Sequence, residues 1–139
     1  MRRVLFAMLL LVVTPTVLLS PPTSAAVVSR PHKPLIHHRL VIAAASRALT
    51  AEALVRGVSL RALLSEWQRV AICEVNGNWS MTGPVYSGIG FSNATWYEYG
   101  GRSFAPLAGD ATRDQQILVG MRVTGGWVPD QDGCNPGGW

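Results

Sequence analysis

The two cysteines, Cys73 and Cys134, set the tightest limit on what this chain can become. An exported chain with two cysteines most simply joins them in one disulfide. That bridge would close a loop over nearly all of the chain after residue 59. Chain-entropy reasoning makes a loop of that size worth about 4 kcal/mol. In so short a domain this is a large share of the net stability. Glu74 follows Cys73 directly, inside the run "WQRVAICEVNGNW" from Trp67 to Trp79. The fold must therefore hold a carboxylate beside a cross-link at the point where the chain turns.

The start of the chain argues for export. Met1-Arg2-Arg3 is basic, Val4 to Val13 is an unbroken apolar run, and "TSAA" (Thr23 to Ala26) has the small residues a signal peptidase reads. Residues 1–26 are expected to be a signal peptide, cut after Ala25 or Ala26. Pro15, Pro21 and Pro22 break the run before the ~20 residues a membrane span needs, so no membrane attachment is expected after cleavage. No cysteine stands at the cut to carry a lipid. The mature protein is expected to be secreted or held in the cell wall.

Export also changes the charge argument. The full chain has 12 basic and 8 acidic side chains. From Ser59 onward the basic residues are Arg61, Arg69, Arg102, Arg113 and Arg122. Against them stand Glu66, Glu74, Glu98, Asp110, Asp114, Asp130 and Asp132. The basic excess thus belongs to the signal and to residues 27–58. A nucleic-acid partner needs a basic patch on the domain itself, and none is visible.

Residues 27–58 divide in two. "VVSRPHKPLIHHR" (Val27 to Arg39) reads as a flexible basic tether, with His32, His37 and His38 solvated and holding no metal. Leu40 to Val58 is rich in Ala and Leu and reads as a helix that Gly57 can end. It either packs on the domain or serves as a spacer. The domain proper is expected over 59–139. Ser59 can cap a helix whose apolar face is Leu60, Leu63, Leu64, Trp67, Val70 and Ala71. "NGN" (Asn76 to Asn78) stops it, with the glycine supplying a left-handed residue. Trp79 to Phe91 reads as a hairpin or tight loop. Ser92 caps a short helix closed by Gly100-Gly101, and "TRDQ" (Thr112 to Gln115) fits a capping box for a third helix. The fold class is α+β, mainly α: about three short helices, a small hairpin and one disulfide.

Glu74 lies on the apolar face of the first of these helices, in its last turn. Burial and the partial negative charge of the helix end both disfavour its anion. A carboxyl group that keeps its proton can act as a general acid toward a glycosidic oxygen. The alternative is a boundary glutamate that reaches solvent or caps the turn. Five tryptophans and three tyrosines supply rings on which sugars stack, though any single tryptophan can equally be core. A second acid, the usual partner in glycoside hydrolysis, is not evident; Glu98 and Asp110 are the candidates weighed, one facing water and one in a loop. One carboxylate suffices if the sugar's own C6 hydroxyl attacks the anomeric carbon.

"WQRVAICEVNGNW", "YSGIGFSNATW", "YGG", "ATRDQQI" and the late cysteine, taken together, resemble the resuscitation-promoting factor domain. Members of that family are small, secreted, lysozyme-like proteins that cleave the cell wall. The resemblance covers Trp67 to Cys134. It implies a catalytic Glu74, a Cys73–Cys134 disulfide, a substrate-cleft Thr95 beside Trp96, and loop glycines at Gly83 and Gly88 flanking Tyr86. Thr95, Trp96, Tyr86 and Trp79 are thus the expected substrate-binding residues. The implied partner is the peptidoglycan glycan strand, with other wall hydrolases as further partners, no cofactor and a monomeric state. The sequence departs from the family at Val75 and Asn76, in a shorter loop from Trp79 to Phe91, and at Gly90, where the family carries a substrate-holding glutamine. The departure at Gly90 keeps a second reading open, that of a wall-binding or signalling protein with weakened catalysis.

Overall fold

The computed structural model describes residues 33–135. The signal peptide expected at 1–26, the first part of the tether, His32 and Trp139 lie outside the described residues. Helix α1 runs over Lys33–Val55 and α2 over Leu60–Val75. Strands β1 (Tyr86–Ser87) and β2 (Phe91–Ser92) form an antiparallel hairpin in which Tyr86 pairs with Ser92 and Ser87 with Phe91. Helix α3 (Asn93–Glu98), two 3-10 turns at Gly101–Ser103 and Ala108–Asp110, and helix α4 (Arg113–Val123) complete the order.

Helix α1 departs from expectation in where it starts and takes one of the two roles left open for it. It begins at Lys33, so Lys33 to Arg39 are helical and not tether. It also packs on α2 and α4, with Leu49 and Ala53 in the core. Residues 35–40 are exposed. Further along, Ser46 donates to the Asp114 carboxylate at the start of α4, and Arg56 donates to Gly126 O and pairs with Glu66 at 3.5 Å. Gly57 ends the helix in the left-handed region, at φ 69°, and Val58 N–H closes back on Ala53 O.

The domain helices start where their caps predict. Ser59 is extended and its hydroxyl accepts from Ala62 N–H at 3.1 Å. Ser92 does the same for Thr95 N–H at 3.0 Å. Thr112 and Gln115 form a full capping box for α4. The α2 face buries Leu63, Trp67, Val70 and Ala71, with Leu60 and Leu64 at its edge. Around it gather Ile89, Phe91, Trp96, Ile117, Val119, Met121 and Val128. At the far end of α2 the first left-handed residue is Asn76 (φ 53°), followed by Gly77 (φ 76°). Asn76 N–H returns to Ile72 O and Gly77 N–H to Ala71 O, so an asparagine does the work expected of the glycine.

Candidate active site

Glu74 is the second-last residue of α2, half-buried, on the side of the helix that carries Trp67 and Ala71. Its neighbour Cys73 is bonded to Cys134, with the two Cα atoms 5.1 Å apart. Burial raises the Glu74 pKa above the usual carboxylate value, and the negative charge of Asp130 raises it further. The carboxyl group therefore keeps its proton to higher pH than a solvated glutamate, as an acid catalyst requires.

The hairpin turn closes one side of this carboxyl. Gly90 has φ 104°, and a Cβ added there would lie 3.4 Å from Glu74 Cβ and 3.5 Å from Glu74 Oε2. The position at which the resemblance implies a glutamine is thus the one against Glu74, and here it presents only backbone. Gly88 fixes the turn from beneath. Its φ is 61°, and a Cβ would come within 2.4 Å of Gln116 Oε1 and 2.7 Å of Ala108 Cβ. Only glycine fits both the dihedral and the space. Gly83 tolerates little more, since its Cβ would stand 3.0 Å from Tyr86 O.

Gln116, on α4 and fully buried, is the tie that sequence reasoning missed. Its Oε1 accepts Ile89 N–H at 3.1 Å, and its Nε2 donates to Trp79 O at 2.9 Å and Ala111 O at 3.2 Å. It joins α4, the end of the α2 turn and the hairpin, the elements that frame Glu74. Ser87 makes a second tie: its hydroxyl donates to Asn93 Oδ1 at 2.7 Å and accepts Ala108 N–H at 3.1 Å. Asn93 Nδ2 in turn donates to Gly83 O at 3.0 Å. Nothing in its local sequence marks Gln116 out. Only its burial reveals the role.

The expected substrate-binding residues separate into two groups. Tyr86 is 57% exposed and presents its ring to solvent. Thr95 is half-buried in the first turn of α3, its hydroxyl 2.8 Å from that of Ser92. Trp96 and Trp79 require correction. Trp96 is 0% exposed, its indole N–H bonded to Ala105 O, its ring against Phe91 and flush with the backbone of Gly101. Trp79 is 5% exposed, with Nε1 donating to Gln68 Oε1 at 3.0 Å. Neither offers a face to a sugar. A buried indole contributes packing and needs one polar partner, which each has found. Among the described tryptophans only Trp127, 56% exposed, turns toward water.

Glu98 and Asp110, the two carboxylates weighed as partners for Glu74, are both exposed. The carboxylate that reaches Glu74 electrostatically is Asp130, four positions before Cys134. That spacing from a cysteine bonded beside Glu74 was the signal that could have found it.

Residues 61–128 match the model of the transglycosylase-like domain family. The mainly helical scaffold, two-stranded sheet and Cys73–Cys134 bridge are thus those of a lysozyme-like transglycosylase domain. More particularly, it is similar to domains of the resuscitation-promoting factor type. It is 50% identical over 64 residues to resuscitation-promoting factor Rpf1 of Corynebacterium glutamicum, covering 45% of this chain and 33% of the relative. Against RpfA of Mycobacterium tuberculosis the identity is 53% over 60 residues, or 42% of this chain and 15% of the relative. Against RpfC of Mycobacterium tuberculosis it is 38% over 100 residues, or 69% of this chain and 66% of the relative. The chain therefore spans a third or less of the length of Rpf1 and RpfA. No helix among the described residues is long and apolar enough to cross a membrane.

Proposed function

We propose that this is a secreted muralytic enzyme that cuts peptidoglycan at the β-1,4 bond between N-acetylmuramic acid and N-acetylglucosamine. The reading rests above all on Glu74, a carboxyl whose burial and acidic neighbour favour the protonated form, on a helix end fixed by a disulfide. Glu74 gives its proton to the glycosidic oxygen as the C–O bond breaks and its electrons pass to the leaving sugar. The resulting carboxylate then takes a proton from the C6 hydroxyl of the muramic sugar, or from water, as that oxygen bonds to the anomeric carbon. Tyr86 and Thr95 bind the glycan, while Trp79 and Trp96 hold the walls that carry them. The enzyme works as a monomer on glycan strands, alongside other wall hydrolases, in wall remodelling or growth resuscitation.

Gly90 favours a second reading, a wall-binding protein with weakened turnover, because no side chain stands there to hold substrate beside the acid. Purified mature protein and its Glu74→Gln form, incubated with peptidoglycan and followed by mass spectrometry of the products, separate the two. The enzyme reading expects cleavage by the parent and a loss of at least about 100-fold in the variant. Binding by the parent without cleavage would establish the second reading, and equal cleavage by both forms would remove Glu74 from its role.

A further inference from the structure

We infer that Asp130 is a second carboxylate of this site, a positioning residue that acts on the reaction through Glu74. The inference rests on the reading of Glu74 as the acid. Asp130 is an unusual aspartate in three respects. It is 9% exposed, whereas residues 131–135 after it are all exposed. Its backbone is left-handed at φ 58°, one of two residues other than glycine among the described residues with a positive φ. Its Oδ1 accepts Asn135 N–H at 2.8 Å, but its buried Oδ2 has no hydrogen-bond partner among the described residues. Burying an underbonded carboxylate costs free energy, and local strain that persists marks sites where the surrounding structure over-determines the geometry.

The loop that holds Asp130 is tied to the end of α2 at two places. Cys134 is bonded to Cys73, and Gln131 Oε1 receives Arg69 Nη2 at 2.7 Å. Gln131 Nε2 also donates to Pro129 O at 3.1 Å, which stiffens the approach to Asp130. The cation nearest to Glu74 in sequence, Arg69, is thus spent on a neutral amide and not on the carboxylate. The hairpin from Met81 to Phe91 carries no charged residue, Glu66 on α2 pairs with Arg56, and Asp132 in the loop is exposed and acidic.

A like charge in the loop tied to α2 opposes ionisation of Glu74. The proton therefore stays on Glu74 to higher pH, ready for the glycosidic oxygen. Once it has left, the same repulsion makes the Glu74 carboxylate a stronger base toward the attacking hydroxyl. Asp130 itself exchanges no proton and forms no bond.

The test compares Asp130→Asn with the parent and with Asp132→Asn, an equal charge change at an exposed position of the same loop. Asparagine accepts the Asn135 N–H and tolerates the left-handed backbone, so the fold is retained. Two readouts are needed. The titration midpoint of the Glu74 carboxyl carbon, followed by ¹³C NMR, requires no activity; the pH profile of peptidoglycan release does. In Asp130→Asn both the midpoint and the alkaline limb of the profile are expected to move to lower pH. Asp132→Asn should move neither appreciably. An unmoved midpoint in Asp130→Asn, or equal shifts in both variants, overturns the inference. A midpoint that moves in a protein with no cleavage at any pH supports the pairing and overturns only the enzymatic reading.

Discussion

Glu74 carries a cost to the fold that its proposed chemistry explains. Its pKa is raised in the folded protein, so the native state binds a proton more tightly than the unfolded chain does. The stabilising contribution is complete below the unfolded value of 4.5 and is lost as pH rises through the folded value. Glu74→Gln removes the titration. Thermal melts should show the variant gaining on the parent as pH rises from acid to neutral, with the difference between them smallest below pH 4.5. A parent that gains on the variant over the same range would contradict the raised pKa. The position of Glu74 was legible in the sequence because helical spacing from Trp67 and Ala71 sets its face. Asp130 was not, because its approach to Glu74 depends on a closure between residues far apart in the chain.

At the scale of elements, the starts of α2, α3 and α4 were legible because each is written locally, whereas the start of α1 at Lys33 was not. Ser59, Ser92 and the Thr112–Gln115 box are chemical start signals readable without tertiary context. The hairpin was legible as a turn but not as a part of the site. What aims it at Glu74 is Gln116, whose amide replaces a missing strand partner for Ile89 and reaches two carbonyls. Gln116→Ala strands a buried N–H and carbonyl oxygens and leaves a void beneath Gly88. It should cost about 2–4 kcal/mol in denaturant unfolding and lower cleavage more than that loss of stability explains. A cost under about 1 kcal/mol would show that the hairpin is held elsewhere.

At the scale of the whole molecule, one covalent bond and one helix define the limits of the domain. The Cys73–Cys134 bridge spans 61 positions, and chain-entropy reasoning assigns it about 4 kcal/mol. Reduction should therefore lower Tm by on the order of 15 °C or more, measured by calorimetry with and without reductant. It should also suppress cleavage at temperatures where the reduced form stays folded, because the bridge ties both Glu74 and the Asp130 loop. Helix α1 extends the folded unit N-terminal of Ser59: its Leu49 and Ala53 fill core space against α2 and α4.

The disulfide, the caps, the buried face of α2 and the place of Glu74 at that helix's end can all be read from the order of amino acids. Each follows from residue chemistry or from a short-range period. Chain closure alone set that Trp79 and Trp96 are buried in the walls, that α1 belongs to the core, that backbone alone stands at Gly90 beside Glu74, and that the charge of Asp130 bears on Glu74. Burial and long-range proximity are properties of how elements close on one another, and a ring or a carboxylate carries no local mark of which side of that closure it will occupy.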